Sequence, residues 1–342
     1  MSPIATTLNA LCAGIARRTA GFGRPVDVAG LNATDRHDHL ALAPPGIMSP
    51  NGSCRLVRAA DGWIAVNLAR DDDRALVPAW LGEDSVGDIW AGIMRIARKR
   101  DCAGLIAGAT VLGLPVSRAD EAEDDAGMPR RIALGRAAAR QRVDALRVVD
   151  LSALWAGPLC GAVFAAMGAS VTRIESTGRP DPTRAVMPQF HRRLNGLKTE
   201  LMLDLSSADG RAALHERVLA ADVVITSARP RAFQSLELST QSVFAANPAL
   251  VWVAITGHGW TGAGAARVAF GDDAAAAGGL IRWTDAGEPR FLGDALADPL
   301  TGLCAALTAL DALAEGGGAL IDAALARCAA LAARDVRRER AR

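Results

Sequence analysis

Lysine is almost absent from this 342-residue chain: Lys99 and Lys198 are the only two, and the rest of the 38 basic residues are arginines. Guanidinium groups suit bidentate contacts to phosphate, although many serve only to solvate a surface. A charge imbalance is lacking too. With 37 acidic residues the net charge is +1, which gives no basic surplus for a nucleic-acid partner. The six cysteines, at 12, 54, 102, 160, 304 and 328, show no metal-ligand spacing and sit in apolar contexts, as reduced buried thiols of a cytoplasmic protein would. The first residues hold no apolar run long enough for a signal-peptide core or a membrane span, so no membrane partner is expected. His37 and His39, beside Asp35 and Asp38, have no third ligand in a fixed frame; they read as loop residues, and neither a metal nor a permanently bound cofactor is expected.

What is present is apolar sequence, half of all residues, enough for a large core and two domains. Ile4, Leu8, Leu11 and Ile15 share one helical face, with Arg17 and Arg18 favouring the C-terminal end of the dipole. Cys54 to Leu68 reads as a hairpin turning at Ala60-Asp61-Gly62. Helical patterns follow over Arg74–Leu81, Val86–Arg98 and Cys102–Leu112, and Gly113 to Val116 returns to extended chain. Ala119 to Ala145, an acidic run followed by an Arg- and Ala-rich stretch with helical character, reads as a solvated linker. The expected division is therefore 1–145, a small α+β domain with its linker, and 146–342, a large α/β domain.

The large domain is organised around Leu146 to Arg184. Val148, Val149 and Leu151 suit a buried strand, Ala156-Gly157-Pro158 bends the chain, a helix runs to Gly168, and Val171 to Ile174 form a second strand. In such a unit the helix N-terminus can receive a phosphate or carboxylate. Further alternation follows: a helix over Ala208–Ala220, a strand over Asp222–Thr226, a short helix over Thr240–Ala246 and a strand over Leu250–Ile255. This alternation predicts a Rossmann-like parallel sheet flanked by helices. Near the C-terminus, Asp298 followed by Pro299 has the form of a helix N-cap and first turn, with Leu300, Leu303, Leu307 and Leu310 behind it. Asp335 to Arg342 reads as a charged, frayed tail.

The wording of these segments resembles the family III CoA-transferases, the CaiB/BaiF group that includes formyl-CoA transferase, the carnitine CoA-transferases and α-methylacyl-CoA racemase. The resemblance rests on Val149 to Ser152, Ala156 to Pro158, Met167 to Ala169, Arg173 to Glu175 and Asp181 to Arg184, and on Asn195, Lys198 and Asp204 in N-G-L-K-T-E-L-M-L-D-L. The Ala59-Ala60-Asp61-Gly62-Trp63 hairpin resembles that family's small domain, which there follows the first part of the large domain; here the order is permuted. The resemblance implies a homodimer, and it makes Asp298, ahead of Thr301-Gly302, the catalytic carboxylate. It places Trp155, Ala156, Gly157, Pro158, Arg173, Glu175, Arg184, Lys198, Arg229 and Asp272 on the CoA side of the site, with Asp272 offset by one position from the family's acidic residue.

The implied activity is transfer of CoA from an acyl-CoA thioester to a carboxylic acid through an aspartyl anhydride and an aspartyl-CoA thioester. An acyl-CoA racemase or isomerase using Asp298 is the alternative, disfavoured because Val268 to Asp273 lacks the racemases' histidine. A catalytically silent CoA-binding relative is the third reading, prompted by Thr226-Ser227-Ala228 in place of the family's wording. Trp155 replaces a glutamine of formyl-CoA transferase, so formyl or oxalyl specificity is not implied. His258 is assigned a packing or substrate-adjacent role.

Overall fold

The computed structural model describes residues 3–85, 87–138 and 145–340. After α1 (Pro3–Ala20) and a loop stretch come β1 (Cys54–Arg58), β2 (Trp63–Asn67), α2 (Asp71–Ala75), α3 (Val77–Leu81), α4 (Ile89–Ala97), α5 (Cys102–Leu112), β3 (Val116–Arg118) and β4 (Arg130–Ala133). The second half runs β5 (Arg147–Leu151), α6 (Ala156–Met167), β6 (Ser170–Ser176), α7 (Thr183–Val186), α8 (Pro188–Asn195), β7 (Thr199–Leu203), α9 (Ala208–Leu219), β8 (Val223–Thr226), α10 (Pro230–Ser235), α11 (Thr240–Ala246) and β9 (Val251–Thr256). It closes with α12 (Gly271–Ala277), β10 (Ile281–Trp283), β11 (Pro289–Phe291), α13 (Ala297–Ala314), β12 (Ala319–Ala324) and α14 (Leu325–Arg340).

The main sheet has seven strands in the order β4-β12-β9-β8-β5-β6-β7. Only β4 runs antiparallel to its neighbour. Counted from β5, the six parallel strands lie in the order 3-2-1-4-5-6, the doubly wound arrangement whose direction of winding reverses between β5 and β8. Alternation along each strand builds the two layers. Val223, Ile225, Val251, Val253 and Ile321 face α1, α6, α13 and α14, while Val224, Trp252, Ala254 and Leu320 face α9, α10 and α11. Helix α13 is largely apolar because it is the buried centre of the first layer, against α1, α6, α14, β9 and β12.

The smaller body is an antiparallel sheet, β1-β2-β3. One face packs on α3, α4 and α5 through Val57, Ile64, Val66, Trp80, Ile93 and Leu105. The other, with Cys54, Leu56 and Ala65, packs on Ala276 of α12 and on Ile281 and Phe291 of the β10-β11 hairpin. Helix α12 is thus gripped between the small sheet and α14.

Several features differ from the sequence expectation. The larger body draws on both sides of residue 145, because α1 packs on α13 and α14 and β4 pairs with β12. Part of the acidic run is docked: Glu121 binds Arg267, and Asp125 binds Arg130 and Arg327. The stretch after it contains β4 and no helix among its described residues; residues 139–144 of the expected helix, and Val86 ahead of α4, lie outside the description. The tail up to Arg340 continues α14, which buries Ala326, Cys328, Ala329, Ala332, Ala333 and Val336 at helical spacing; Ala341 and Arg342 lie outside the described residues.

Lys198 is a structural pin. Its ammonium is fully buried and donates to Asp150 Oδ2, the Pro158 carbonyl and Asn195 Oδ1, each at 2.8 Å. Room for it exists because position 161 is glycine: a Cβ there would lie 2.9 Å from Nζ. Asp150 also accepts from the Ser152 amide at 3.0 Å and its hydroxyl at 2.5 Å. Removing one partner of such a pair strands the other in a low-dielectric interior. Lys198→Ala is expected to lower the unfolding free energy by about 3–5 kcal/mol, read by urea titration; a loss below about 1 kcal/mol would refute the pin.

Candidate active site

A cleft of about 640 Å³, including its open mouth, lies across the carboxyl ends of the strands where the winding reverses. Ala153 and Leu154 follow β5, Ser227 to Pro230 follow β8, Gly257 and Gly259 follow β9, and Leu325 follows β12. The α6 N-terminus opens on it through Ala156 and Gly157. Gly157 is required by close approach, since a Cβ would lie 2.2 Å from the Ser152 Cβ. Leu154 holds a left-handed backbone, φ +70°, with its amide donating to Asp181 Oδ2 at 3.1 Å.

Among the described residues, Asp298 is the only carboxylate lining the cleft. It sits in the first turn of α13, whose N-cap is Leu296 with no side-chain cap bond, so the N-cap expected at Asp298 is corrected. Its carboxylate rests against Gly271 at the start of α12, where a Cβ would come within 2.2 Å of Oδ2. Protein atoms enclose it except toward the cleft, and among the described residues no hydrogen bond engages its side chain. Burial pushes its acid dissociation up to about 7; Arg36 opposes the rise, and Asp272, Asp294 and Asp273 add to it.

The neighbouring carboxylates are all engaged. Arg36 clamps Asp294 through Nε and Nη2 at 2.6 and 3.0 Å, with its guanidinium carbon 5.0 Å from the Trp155 ring centre. Asp272 accepts from the Ala295 amide at 2.7 Å and from Asn51, and burial raises it to about 6. Asp273 accepts from the Phe270 amide at 2.8 Å and from Asn67 at 3.1 Å, and burial raises it to about 7. His258 hydrogen-bonds Ser117 Oγ at 3.2 Å and does not line the cleft; burial and Arg267 depress it to about 3, so it is neutral.

Of the residues expected on the CoA side, the structure brings Ala156, Gly157 and Arg229 to the cleft with Asp298. Arg229 has like-charged company in Arg231, Arg70 and Arg179, which with burial lower its proton affinity. The others lie elsewhere. Trp155 is buried, donates to the Ala33 carbonyl at 2.8 Å and lines a neighbouring cavity with Arg36, Asp294 and Leu296. Pro158 is buried and Lys198 is sequestered beneath it. Arg173, Glu175 and Arg184 form an internal network: Arg173 binds Asp181 at 2.8 Å and also Glu175, and Arg184 binds Glu175 at 2.9 Å. Against the cost of burial, the Asp181 amide, Arg184 and Arg173 hold Glu175 down to about 2. Asp272 lies behind Asp298 and outside the cleft lining.

Sequence reading missed Arg36, Asn51, Asn67, Ser117 and Asp273. The only signals were polar residues scattered over loops, strands and the first turn of α12, with nothing to say which of them would meet.

The family model for CoA-transferase family III matches residues 143–336. This chain belongs to that family. The family III chain is 31% identical over 193 residues to a succinyl-CoA–D-citramalate CoA-transferase of Chloroflexus aurantiacus, covering 53% of this chain and 48% of that protein. It is 31% identical over 199 residues to a succinate–glutarate CoA-transferase of Agrobacterium fabrum, covering 53% and 50%. Among solved structures it resembles a CaiB/BaiF family protein from Brucella suis, with TM-score 0.53, 29% identity and coverage of 59% and 58%. The chain thus spans about half the length of the curated relatives it matches.

Because its folded value exceeds the ordinary 3.8, Asp298 contributes stability that is fully present below pH 4 and is lost as pH rises through about 7. Asp298→Asn, which cannot ionise, is therefore expected to be more stable than the parent at pH 8 by on the order of 2 to 4 kcal/mol and nearly equal to it at pH 4. Denaturant titrations at the two pH values test this, and a gap that does not change with pH would contradict the assignment.

Proposed function

We propose that this chain transfers CoA between an acyl-CoA thioester and a carboxylic acid, with Asp298 as nucleophile. The observation that carries the reading is a half-buried carboxylate without hydrogen-bond partners among the described residues, facing the cleft of a doubly wound sheet. Asp298 attacks the thioester carbonyl carbon; the carbon–sulfur bond breaks, CoA leaves as thiolate, and an aspartyl acyl anhydride remains. The thiolate then attacks the Asp298 carbonyl carbon, expels the first acid as its carboxylate and leaves an aspartyl-CoA thioester. The acceptor carboxylate repeats these steps in reverse, so atoms and charge balance without a metal or redox partner.

Partial burial helps, because a carboxylate with fewer water hydrogen bonds is a stronger nucleophile. The arginines around Arg229 give the cleft positive charge for the CoA phosphates, and the α6 N-terminus adds unpaired amides. The racemase reading lacks a partner base at the cleft among the described residues, since His258 hydrogen-bonds Ser117 and does not line it. The small body standing before the doubly wound strands supports a permuted domain order. A homodimer is proposed as well: β7 is an open sheet edge flanked by exposed Val186, Leu197 and Met202.

Incubation with acetyl-, succinyl- and longer-chain acyl-CoA, followed by peptide mass mapping, is expected to show CoA on Asp298 and none on Asp298→Ala. Binding of all donors with no adduct would favour a silent CoA-binding role. Light scattering in solution is expected to give twice the mass of one chain; a monomer at all concentrations would rule out the dimer.

A further inference from the structure

Asn51 stands in a tight turn ahead of β1, closed by the Gly52 amide on the Ser49 carbonyl at 2.8 Å, with Gly52 at φ +78°. Its amide oxygen accepts from the Ser53 amide at 2.9 Å and the Ser49 hydroxyl at 3.2 Å. Those two donors fix which way the side chain points, with Nδ2 turned toward the larger body. There Nδ2 donates to Asp272 Oδ2 and Asp294 Oδ1, each at 2.6 Å. A primary amide has two hydrogens, one for each carboxylate, and no ionised or singly protonated side chain of this size can donate both.

We infer that Asn51 is a positioning residue for the chemistry at Asp298: its single amide ties together the two carboxylates that flank Asp298 and anchors them to the smaller body. This rests on Asp298 being the nucleophile. With Asn51, Arg36 and the Ala295 amide in place, Asp272 and Asp294 are held as acceptors and neither can share a proton with Asp298. The tie also spans the element that sets the nucleophile's seat. Asp272 follows Gly271, against which Asp298 rests, and Asp294 precedes Ala295, whose left-handed backbone (φ +43°) accepts the Asp298 amide at 2.9 Å. Releasing Asn51 frees both sides of that seat at once. Misplacement of a reacting group by about 1 Å is enough to cost about 100-fold in rate.

The titratable and charged groups facing this point are Asp272 and Asp273 from α12, Asp294 from the turn after β11, Asp298 from α13, Cys54 from β1 and Arg36 from the loop after α1. Replacing the amide by a carboxyl group adds one more acid. While protonated, Asn51→Asp can donate to one neighbour and keeps part of the tie; once ionised it repels both. The parent has no group at position 51 that titrates.

The test measures CoA exchange from pH 5.5 to 9 with the donor that labels Asp298 in the parent protein. Asn51→Ala is expected to lower kcat by about 10- to 100-fold with KM for the acyl-CoA changed less than about twofold. Asn51→Asp is expected to convert a profile rising through about pH 7 into a bell, with a new alkaline fall that reverses on reacidification. A purely structural role predicts a loss independent of pH. An Asn51→Asp profile parallel to the parent's, or Asn51→Ala at full kcat, overturns the inference alone. Failure of every donor to label parent Asp298 overturns the nucleophile reading and this inference with it.

Discussion

Asp298 can lie against Gly271 only because α12 is built from the smallest side chains. Its alanines let the small sheet close on one side and α14 on the other, and Gly278 meets the α14 backbone at Ala326 and Ala330 so closely that a Cβ would lie 2.6–2.7 Å from backbone atoms. That approach carries Asp272 and Asp273, in the first turn of α12, out of water and toward Asp298. Close packing and acid–base chemistry are one constraint here. Larger side chains on α12 would separate the two bodies, rehydrate the carboxylates and return them to the ordinary range of exposed acids.

The doubly wound half was legible because its elements are local. Val148 to Leu151, the Ala156-Gly157-Pro158 bend and the stop at Gly168 are decided by neighbours in sequence, and β5, α6 and β6 formed as read. The role proposed for Asp298 rests on resemblance and not on helix chemistry: Asp-Pro fits a cap as well as a nucleophile, and the helix in fact starts at Ala297. Lys198 could not be placed from sequence, because its three acceptors come from β5, the start of α6 and the end of α8. Arg36 and Asn51 are harder still, with partners more than 200 positions away. Their loop, rich in Gly, Pro, Asn and Asp, carries no periodicity to reveal a buried face.

The Arg173, Glu175, Asp181 and Arg184 set shows how residues of a ligand-side motif can act at one remove. Asp181 accepts from Arg173, from the Thr183 amide and hydroxyl, and from the Leu154 amide. Leu154 lines the cleft in a backbone conformation that non-glycine residues seldom adopt. The buried ion network over-determines that conformation, as strained positions at functional sites require. These residues fix the cleft wall at Leu154 and do not themselves line the cleft.

Charge along the cleft runs from positive to negative. Near its mouth Arg229 interacts with three other guanidinium groups; at its floor Asp298 feels three other carboxylates and one arginine, Arg36. Such a gradient orients a ligand before any specific contact forms. For the proposed substrate it does so in one sense only. CoA carries its phosphates at the end remote from sulfur, so they are drawn to the arginines and repelled from the floor, while the uncharged thioester is the part that the acidic floor tolerates. The carboxylates that raise the proton affinity of Asp298 thereby also keep the phosphate end away from it. The same field works against the acceptor, which is itself an anion. It must reach a site whose floor is negative, and Arg36, already clamped on Asp294, offsets only part of that charge. Asp298 itself adds nothing to that repulsion when the acceptor enters, since it is then held as the CoA thioester, and partial protonation of Asp273 near neutral pH reduces it further.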